Sequence, residues 1–548
     1  MATHEVFNVP LPWAGINTFT ANRTLHNALA GATGTELDGL TALGELASTP
    51  QAQDWARLAN AYPPVLRSHD RYGHRIDEVE FHPAWHELMG VAVAHGLQAA
   101  PWSPAATANA HLVRAAGFYV WGQVEQGHCC PISMSYAAVP ALRQAPDLLA
   151  QYGPGLASRA YDFGLRAPAG KRGLLAGMAM TEKQGGSDVR ANTSQAVPAS
   201  DGTYVITGHK WFCSAPMCDL FLVLANAPGG LSCFLVPRVL PDGSRNDFAI
   251  QRLKDKLGNK SNASSEVEFG RTVGWLVGDE GRGVRTIIDM VTMTRLDCVI
   301  GSAAVQRAAL TQAMHHIAGR SAFGARLADQ PLMREVVADL CLEVVAAEAL
   351  FLRLATAVDR NETSLLRLAV AAGKFWVCKR TPTVVGEALE CLGGGGFVEE
   401  SPLPRYFRES PLNSIWEGSG NVIALDVVRA LTRDPAAVQA LRSELEPTAG
   451  LDPRLDTAVA GLEKLLGALG TDPDADARAA RALAGAITTT LQASVLVAAA
   501  TDPSSTAVAE AFLVTRLSES APSVFGMGKG MAAETVAAVI ERVGLQTA

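Results

Sequence analysis

The stretch NSIWEGSGN, residues 413 to 421, sets an acid, Glu417, between an aromatic side chain, Trp416, and the small run Gly418-Ser419-Gly420. A helix-like segment, VIALDVVRAL, follows at once. Small residues ahead of a helix leave backbone N–H groups free to meet an anion or the polar edge of a cofactor. A carboxylate held in such a loop against apolar walls is a candidate base, because desolvation raises its pKa toward working pH. The competing reading of the loop by itself is a solvated glutamate in a helix-entry turn.

The 548 residues around this loop allow roughly three or four domains. Hydrophobic residues make up 48% and charged residues 18%, so large cores can be buried. A net charge of −8 argues against a chain built mainly to coat nucleic acid, while leaving room for a local basic patch. The nine cysteines are scattered, mostly in apolar runs as at Cys298 and Cys378, and read as reduced core thiols rather than a disulfide framework. His82 and His86 have the spacing of two helical metal ligands, but Pro83 lies between them and no third ligand is evident, so no metal is expected. The start, MATHEVFNVPLPW, has neither a basic opening nor an apolar run, and the apolar helical runs are broken by charge. A soluble, cytoplasmic protein with no membrane contact is the expectation.

Taken in order, residues 1–50 read as an extended arm and a short helix, the arm needing a neighbouring surface to lie on. Pro63-Pro64 and the run Asp70 to Gly73 mark a loop with helices after it, and residues 51–172 form a helical domain. From 173 to 282 the character changes. GLLAGMAMTE, TYVITGHKWFCSA, DLFLVLANA, LSCFLVPR, FAIQRL and SSEVEF are short β-rich runs parted by Gly, Asn, Asp and Pro, the pattern of an antiparallel β-domain. Long apolar-striped helices between 283 and 434 suggest an antiparallel bundle that ends in GGGGF (393–397) and the Glu417 loop. Residues 435–548 read as a separate, Ala- and Leu-rich helical block with turns near 450, 472, 503 and 522. The fold class is α+β, mainly α.

This order resembles the acyl-CoA dehydrogenase family, and four motifs carry the likeness: MTEKQGGSD (180–188), GHKWFCS (208–214), GRSAFG with Gln330 beyond it, and ECLGGGGF with IWEGSG. HEVFNVPLPW, NAYPPVLRSHD, KLGNKSNASSEVEF, MTRLDC and NSIWEGSGN are similar to its AidB branch of alkylation-response flavoproteins, which adds a C-terminal helical domain. The resemblance implies FAD and an acyl thioester substrate such as an acyl-CoA. It places Met180, Thr181, Gly186 and Ser187 on the flavin and phosphate, with Gly185 beside them, and Phe212 and Ser214 beside the ring. Arg320, Phe323 and Gln330 would meet the FAD of another subunit, implying a homotetramer. Glu390, Gly393 and Gly394 would sit on the same dinucleotide, and Trp416, Gly418, Ser419 and Asn421 would finish the site.

Glu417 matches the family's base, which removes the α-proton while a β-hydride moves to the flavin. The alternative base position on the helix after the β-domain carries Thr294, next to Arg295. Arg295 is a pocket charge that could pair with Asp297 or Glu417, and Trp416 shapes the acyl pocket where many members carry Tyr. Glu390 replaces the family's Gln and adds negative charge near a phosphate.

The branch also implies double-stranded DNA as a partner through a basic C-terminal domain. Here residues 435–548 hold more Asp and Glu (Asp472, Asp474, Asp476, Glu510 and Glu519 among them) than Lys and Arg (Arg478, Arg481, Arg516, Lys529 and Arg542 among them), so a clustered positive face is not evident. The competing functions are therefore an acyl-CoA dehydrogenase-like oxidoreductase, a DNA-associated flavoprotein with vestigial redox chemistry, and a helical assembly protein without cofactor.

Overall fold

The computed structural model describes residues 3–518, 524–527 and 531–544. The helices in chain order are α1 (Arg23–Ala28), α2 (Gly34–Ala47), α3 (Pro50–Ala61), α4 (Pro83–Ala94), α5 (Ala110–Gly122), α6 (Cys129–Leu142), α7 (Pro146–Leu156), α8 (Gly283–Gly319) and α9 (Pro331–Asp359). They continue as α10 (Thr363–Glu390), α11 (Gly394–Phe397), α12 (Leu403–Glu409), α13 (Gly420–Arg433), α14 (Pro435–Leu445), α15 (Pro453–Gly467), α16 (Pro473–Ala498), α17 (Pro503–Arg516) and α18 (Ala533–Val543). The strands are β1 (Val65–His69), β2 (Arg75–Glu80), β3 (Ala176–Ala179), β4 (Gln195–Pro198), β5 (Tyr204–Ser214), β6 (Leu220–Ala227), β7 (Gly230–Pro237), β8 (Phe248–Leu253), β9 (Ser264–Val277), β10 (Ser321–Ala322) and β11 (Ala325–Arg326). Two compact units result. One comprises Gln51–Ala110 and Glu125–Asp297; the other comprises Met1–Pro50, His111–Val124 and Cys298–Ala548.

In the first unit seven strands pair in the order β3-β6-β4-β5-β9-β7, with β8 on β9 and a further β6–β7 pairing that brings the path back on itself. The six residues Leu220–Ala225 of β6 are all buried, which is why this run lacks the alternation of a half-exposed strand. The sheet is mainly antiparallel, as expected, with β3 and β4 as the exceptions that run parallel to β6. The Asp219 carboxylate accepts from the Leu175 N–H at 2.9 Å and pairs with Lys171 at 2.5 Å, tying the entry of β3 to the start of β6. The segment after Pro63-Pro64 is a correction. It is a β1–β2 hairpin, with Val65 opposite Glu80, rather than a loop leading to helices. The Asp70 carboxylate closes its turn by accepting from the N–H groups of Tyr72 and His74, and Gly73 takes φ +89°. His82 caps α4 through Ala84 N–H and stacks on Tyr62, while His86 bonds the Tyr161 hydroxyl.

In the second unit α9 and α10 are the central helices. The 435–548 block, expected as separate, shares their core: α16 packs on α9, α10 and α13, and α18 packs on α9. The expected turn near 522 lies outside the described residues. α16 is long and apolar enough to cross a membrane, contrary to the reading that charge breaks every such run, but 67% of its apolar window is buried inside the protein, as in the core helix of a bundle. A buried polar network pins these helices together. Glu348 receives Arg307 at 2.6 Å and Asn22 at 2.8 Å, as well as the Tyr119 hydroxyl, and Arg307 also donates to Val543 O. The arm runs along the end of α8, where His315 meets Leu11 O at 2.7 Å.

Candidate active site

On the sheet, β3 delivers Met180 and Thr181 to the edge of a turn. Met180 O accepts from Asn192 Nδ2 at 2.9 Å, and Thr181 O accepts from Trp211 N–H at 2.8 Å. Gly186 folds back on Thr181: a Cβ there would sit 2.9 Å from Thr181 Cγ2, so the close approach requires glycine. A Cβ at Gly185 would have room, and Gly186 and Ser187 are exposed at the turn surface. What holds the turn is a pair not foreseen as functional. Glu182, between Thr181 and Lys183, accepts Lys210 Nζ at 2.8 Å with both side chains wholly buried. Glu182 also takes the N–H groups of Thr193 and Ser194 at 2.7 and 3.2 Å, and Lys210 donates to Leu224 O at 2.6 Å. Burial pushes the Glu182 carboxyl up, but Lys210 and these N–H donors outweigh it and hold it well below the usual range. Both residues lie inside the motifs at 180–188 and 208–214, and an acid just past the end of β3 with a base on β5 was the available signal.

Further along β5, Phe212 is 48% exposed and Ser214 pairs with Ser264. Lys254 Nζ lies 3.5 Å from the Trp211 ring centre and 4.5 Å from that of Phe212. Arg295 and Thr294 are buried in α8, where the Thr294 hydroxyl donates to Val291 O of its own helix, a structural bond rather than a basic site.

On the bundle, the Glu417 loop is held from below. Lys374 of α10 is buried and donates to Trp416 O at 2.8 Å and to Gly418 O, the carbonyls on either side of Glu417. The Trp416 indole N–H donates to Asn413 Oδ1 at 2.8 Å, and Asn413 in turn donates to Ser302 Oγ at 3.1 Å. Glu417 takes φ +58°, an uncommon backbone for a residue with a side chain, and is half-buried. Ser419 precedes α13 without capping it by its side chain. A Cβ on Gly420 would lie 2.7 Å from Lys379 Cε, and Arg481 of α16 donates to Asn421 Oδ1 at 2.9 Å. Lys374, Lys379 and Arg481 were all missed. Lys374 interrupts an otherwise apolar run, a usable signal, whereas nothing local ties Arg481 to a loop 60 residues earlier.

The remaining sequence-selected residues form a third group in this unit. Phe323 and Gly324, at φ +53° and +81°, make the two-residue turn between β10 and β11, and Phe323 is 99% exposed. Arg320 donates to Asn8 O of the arm at 2.8 Å, and Gln330 donates to Ala322 O at 2.9 Å. Glu390 is exposed at the end of α10, Gly393 turns the chain at φ +59°, and the space where a Gly394 side chain would stand is open.

The chain is similar to known proteins along most of its length. Residues 8–163 match the adaptive response protein AidB N-terminal domain, 177–272 the acyl-CoA dehydrogenase middle domain and 281–432 the acyl-CoA dehydrogenase C-terminal domain. AidB of Escherichia coli strain K12 is 46% identical over 471 residues, covering 85% of this chain and 87% of that protein. Acyl-CoA dehydrogenase family member 11 of Caenorhabditis elegans is 29% identical over 423 residues, covering 73% of this chain and 68% of that one. Among solved structures, the apo form of Bd2924 superposes with a TM-score of 0.80 at 29% identity, over 90% of this chain and 99% of that one. The C. elegans ACDH-11 complex with C11-CoA gives 0.83 at 24% identity, over 93% of each chain. The chain belongs to the acyl-CoA dehydrogenase family and carries the AidB-type N-terminal domain.

Proposed function

We propose that this protein binds FAD and oxidises an acyl thioester such as an acyl-CoA, with Glu417 as the base. The carrying observation is the clamp of Lys374 on the carbonyls of Trp416 and Gly418, which fixes the backbone on both sides of that one carboxylate. The site residues suit a dinucleotide. Asn192, which holds Met180, keeps a buried Oδ1 with no partner among the described residues, the turn at Gly186 is stripped of side-chain bulk, and Lys379 and Arg481 bring positive charge to the start of α13.

By the family resemblance, the residues expected on the cofactor are Met180, Thr181, Gly186, Ser187, Phe212 and Ser214 in the first unit, and Trp416, Gly418, Ser419 and Asn421 in the second. When bound, the flavin supplies the electron sink for the β-hydride. Glu417 accepts the α-proton, and Trp416, pinned through Asn413, limits the acyl space. The names of the relatives, acyl-CoA dehydrogenases among them, support this reading. The purified protein should be yellow, and anaerobic titration with a panel of short and branched acyl-CoAs should bleach the flavin band. A colourless protein, or no bleaching across the panel, defeats the proposal.

A homotetramer follows from the same reading, since Phe323, with Arg320, Gln330, Glu390, Gly393 and Gly394, would serve the dinucleotide of another copy. The all-but-complete exposure of the Phe323 ring suits that role. Nine cysteines, none of them in a disulfide among the described residues, suit the reducing cytoplasm. DNA association in an alkylation response is the weaker alternative. Arg516 is taken up by Asp339 and Glu343, Arg542 by Asp502 and Arg478 by Asp472. Arg481, bonded to neutral Asn421, is the observation in its favour, while Glu519 and Lys529 lie outside the described residues. Duplex retardation that fades steeply with salt would support it.

A further inference from the structure

Of the nine cysteines, eight are buried and Cys129 is half-buried. Cys129 is the first residue of the 14-residue helix α6, where the end of the helix favours a thiolate. Its Sγ donates to Glu125 O at 3.6 Å and lies 3.8 Å from His128 Nε2, so the thiol turns from the carbonyl to the imidazole by rotation about its own C–S bond. His128 Nδ1 lies 3.0 Å from Glu125 Oε2. A carboxylate at Nδ1 requires the proton there, which leaves Nε2 as the acceptor facing the thiol. Glu125 is built to stay ionised. Its oxygens also receive the N–H groups of Gly127 and His128 at 2.9 Å each, the Ser261 hydroxyl at 2.7 Å and Asn60 Nδ2 at 3.0 Å. Burial pushes its carboxyl up, but His128 and these donors outweigh that and hold it far below the usual range.

The turn is shaped for this contact, because a Cβ on Gly127 would stand 1.9 Å from Ser261 Oγ and 3.1 Å from the Asn262 backbone nitrogen. Asn262 is itself 1% exposed, and neither atom of its side-chain amide has a partner among the described residues. An unpaired buried amide is costly unless a ligand group completes it. Other titratable groups near this helix start are the buried thiols of Cys213 and Cys218, which lie near Cys130, and Lys256, which donates to Asn262 O at 2.6 Å.

We propose that Glu125, His128 and Cys129 form a thiol-activating triad, and that Cys129 is a nucleophilic site for α,β-unsaturated carbonyl compounds. The thiol proton moves to His128 Nε2, and the sulfur forms a bond to the β-carbon of the electrophile. The alkene electron pair shifts to the carbonyl as an enolate, and the imidazolium returns its proton to the α-carbon. Atoms balance with no leaving group and no redox partner. Glu125 is a positioning residue that acts through His128. The site stands whether or not the chain binds flavin.

The test treats the native full-length protein with less than one equivalent of N-ethylmaleimide and maps the adduct by peptide mass spectrometry. Cys129 is expected to be labelled first, with a rate that inflects below the pH of about 8.5 typical of a free thiol. His128→Gln should slow labelling at pH 6.5 by roughly tenfold and return the inflection to about 8.5. Glu125→Gln should fall between the two. Labelling of another cysteine first, or a wild-type inflection at the free-thiol value, overturns the proposal, and so does an unchanged rate in a folded His128→Gln protein. If His128→Gln does not fold, the wild-type pH profile decides.

Discussion

Two lysines, Lys210 on β5 and Lys374 on α10, are equally hidden from water and each suspends a loop of candidate functional residues, but they are neutralised differently. Lys210 meets a carboxylate, Glu182, and one carbonyl. Lys374 meets two carbonyls, and no carboxylate is bonded to it among the described residues. The first arrangement is a closed ion pair whose charge is spent on holding the Thr181–Ser187 turn. The second retains a net positive charge beneath the loop that carries Glu417, a field that favours anionic groups there. The sheet side is thus built for rigidity and the bundle side for rigidity plus potential.

The sharpest way to break this comparison is to remove the acid that only one of the loops presents. Glu417→Gln should leave the fold and flavin content intact and slow acyl-CoA-driven bleaching by roughly 10²- to 10⁴-fold, the usual worth of a general base. Bleaching at the wild-type rate would move the base elsewhere and leave the Lys374 clamp without a catalytic purpose. Next in size is the closed pair. Lys210→Met strands a buried carboxylate and should cost about 3–5 kcal/mol in urea unfolding, whereas the double variant Glu182→Leu/Lys210→Met should recover most of it. A double variant as unstable as the single would mean that the pair contributes more than mutual neutralisation.

Lys374→Met should be milder, because no opposite charge is abandoned. Two carbonyls lose a donor, worth about 1–3 kcal/mol, and the loss should appear locally as faster amide exchange over residues 415–420. A global loss as large as that of Lys210→Met would show that the two lysines are not different in kind.

The sequence makes one side of this comparison more legible than the other. Strand and turn at 180–188 and 208–214 follow from short apolar runs between Gly and Asp, and these bracket Glu182 and Lys210 within a few residues. Their pairing across 28 residues needs the register of the sheet, which short runs read one at a time do not carry, and the parallel placement of β3 and β4 on β6 stays hidden for the same reason. The Glu417 loop was picked out by its small residues before a helix. Its support was not, since Lys374 and Arg481 reach it from 42 and 60 residues away along the chain. Long helices announce their stripes, but a single lysine within an apolar run does not announce which carbonyls it meets. The same limit made the 435–548 helices look separate, although they bury their apolar faces on α9 and α10.

The smallest effect probes the closed pair through acid. Glu182 is held below its ordinary value of 4.5 in the folded chain, so the unfolded chain binds its proton first as pH falls. The stabilisation from this group is therefore complete above about pH 4.5 and is lost as pH drops through the lower folded value. Wild type and the Glu182→Leu/Lys210→Met double variant should differ by a constant amount in urea between pH 6 and 7. The difference should then drift against the wild type below about pH 4.5, because only the wild type still has that carboxylate to protonate. Among the described residues Lys374 has no such carboxylate bonded to it, so Lys374→Met should show no matching drift relative to wild type. A parallel acid drift in both comparisons would mean that the bundle lysine is also answering to a buried acid, and the distinction between the two loops would fall.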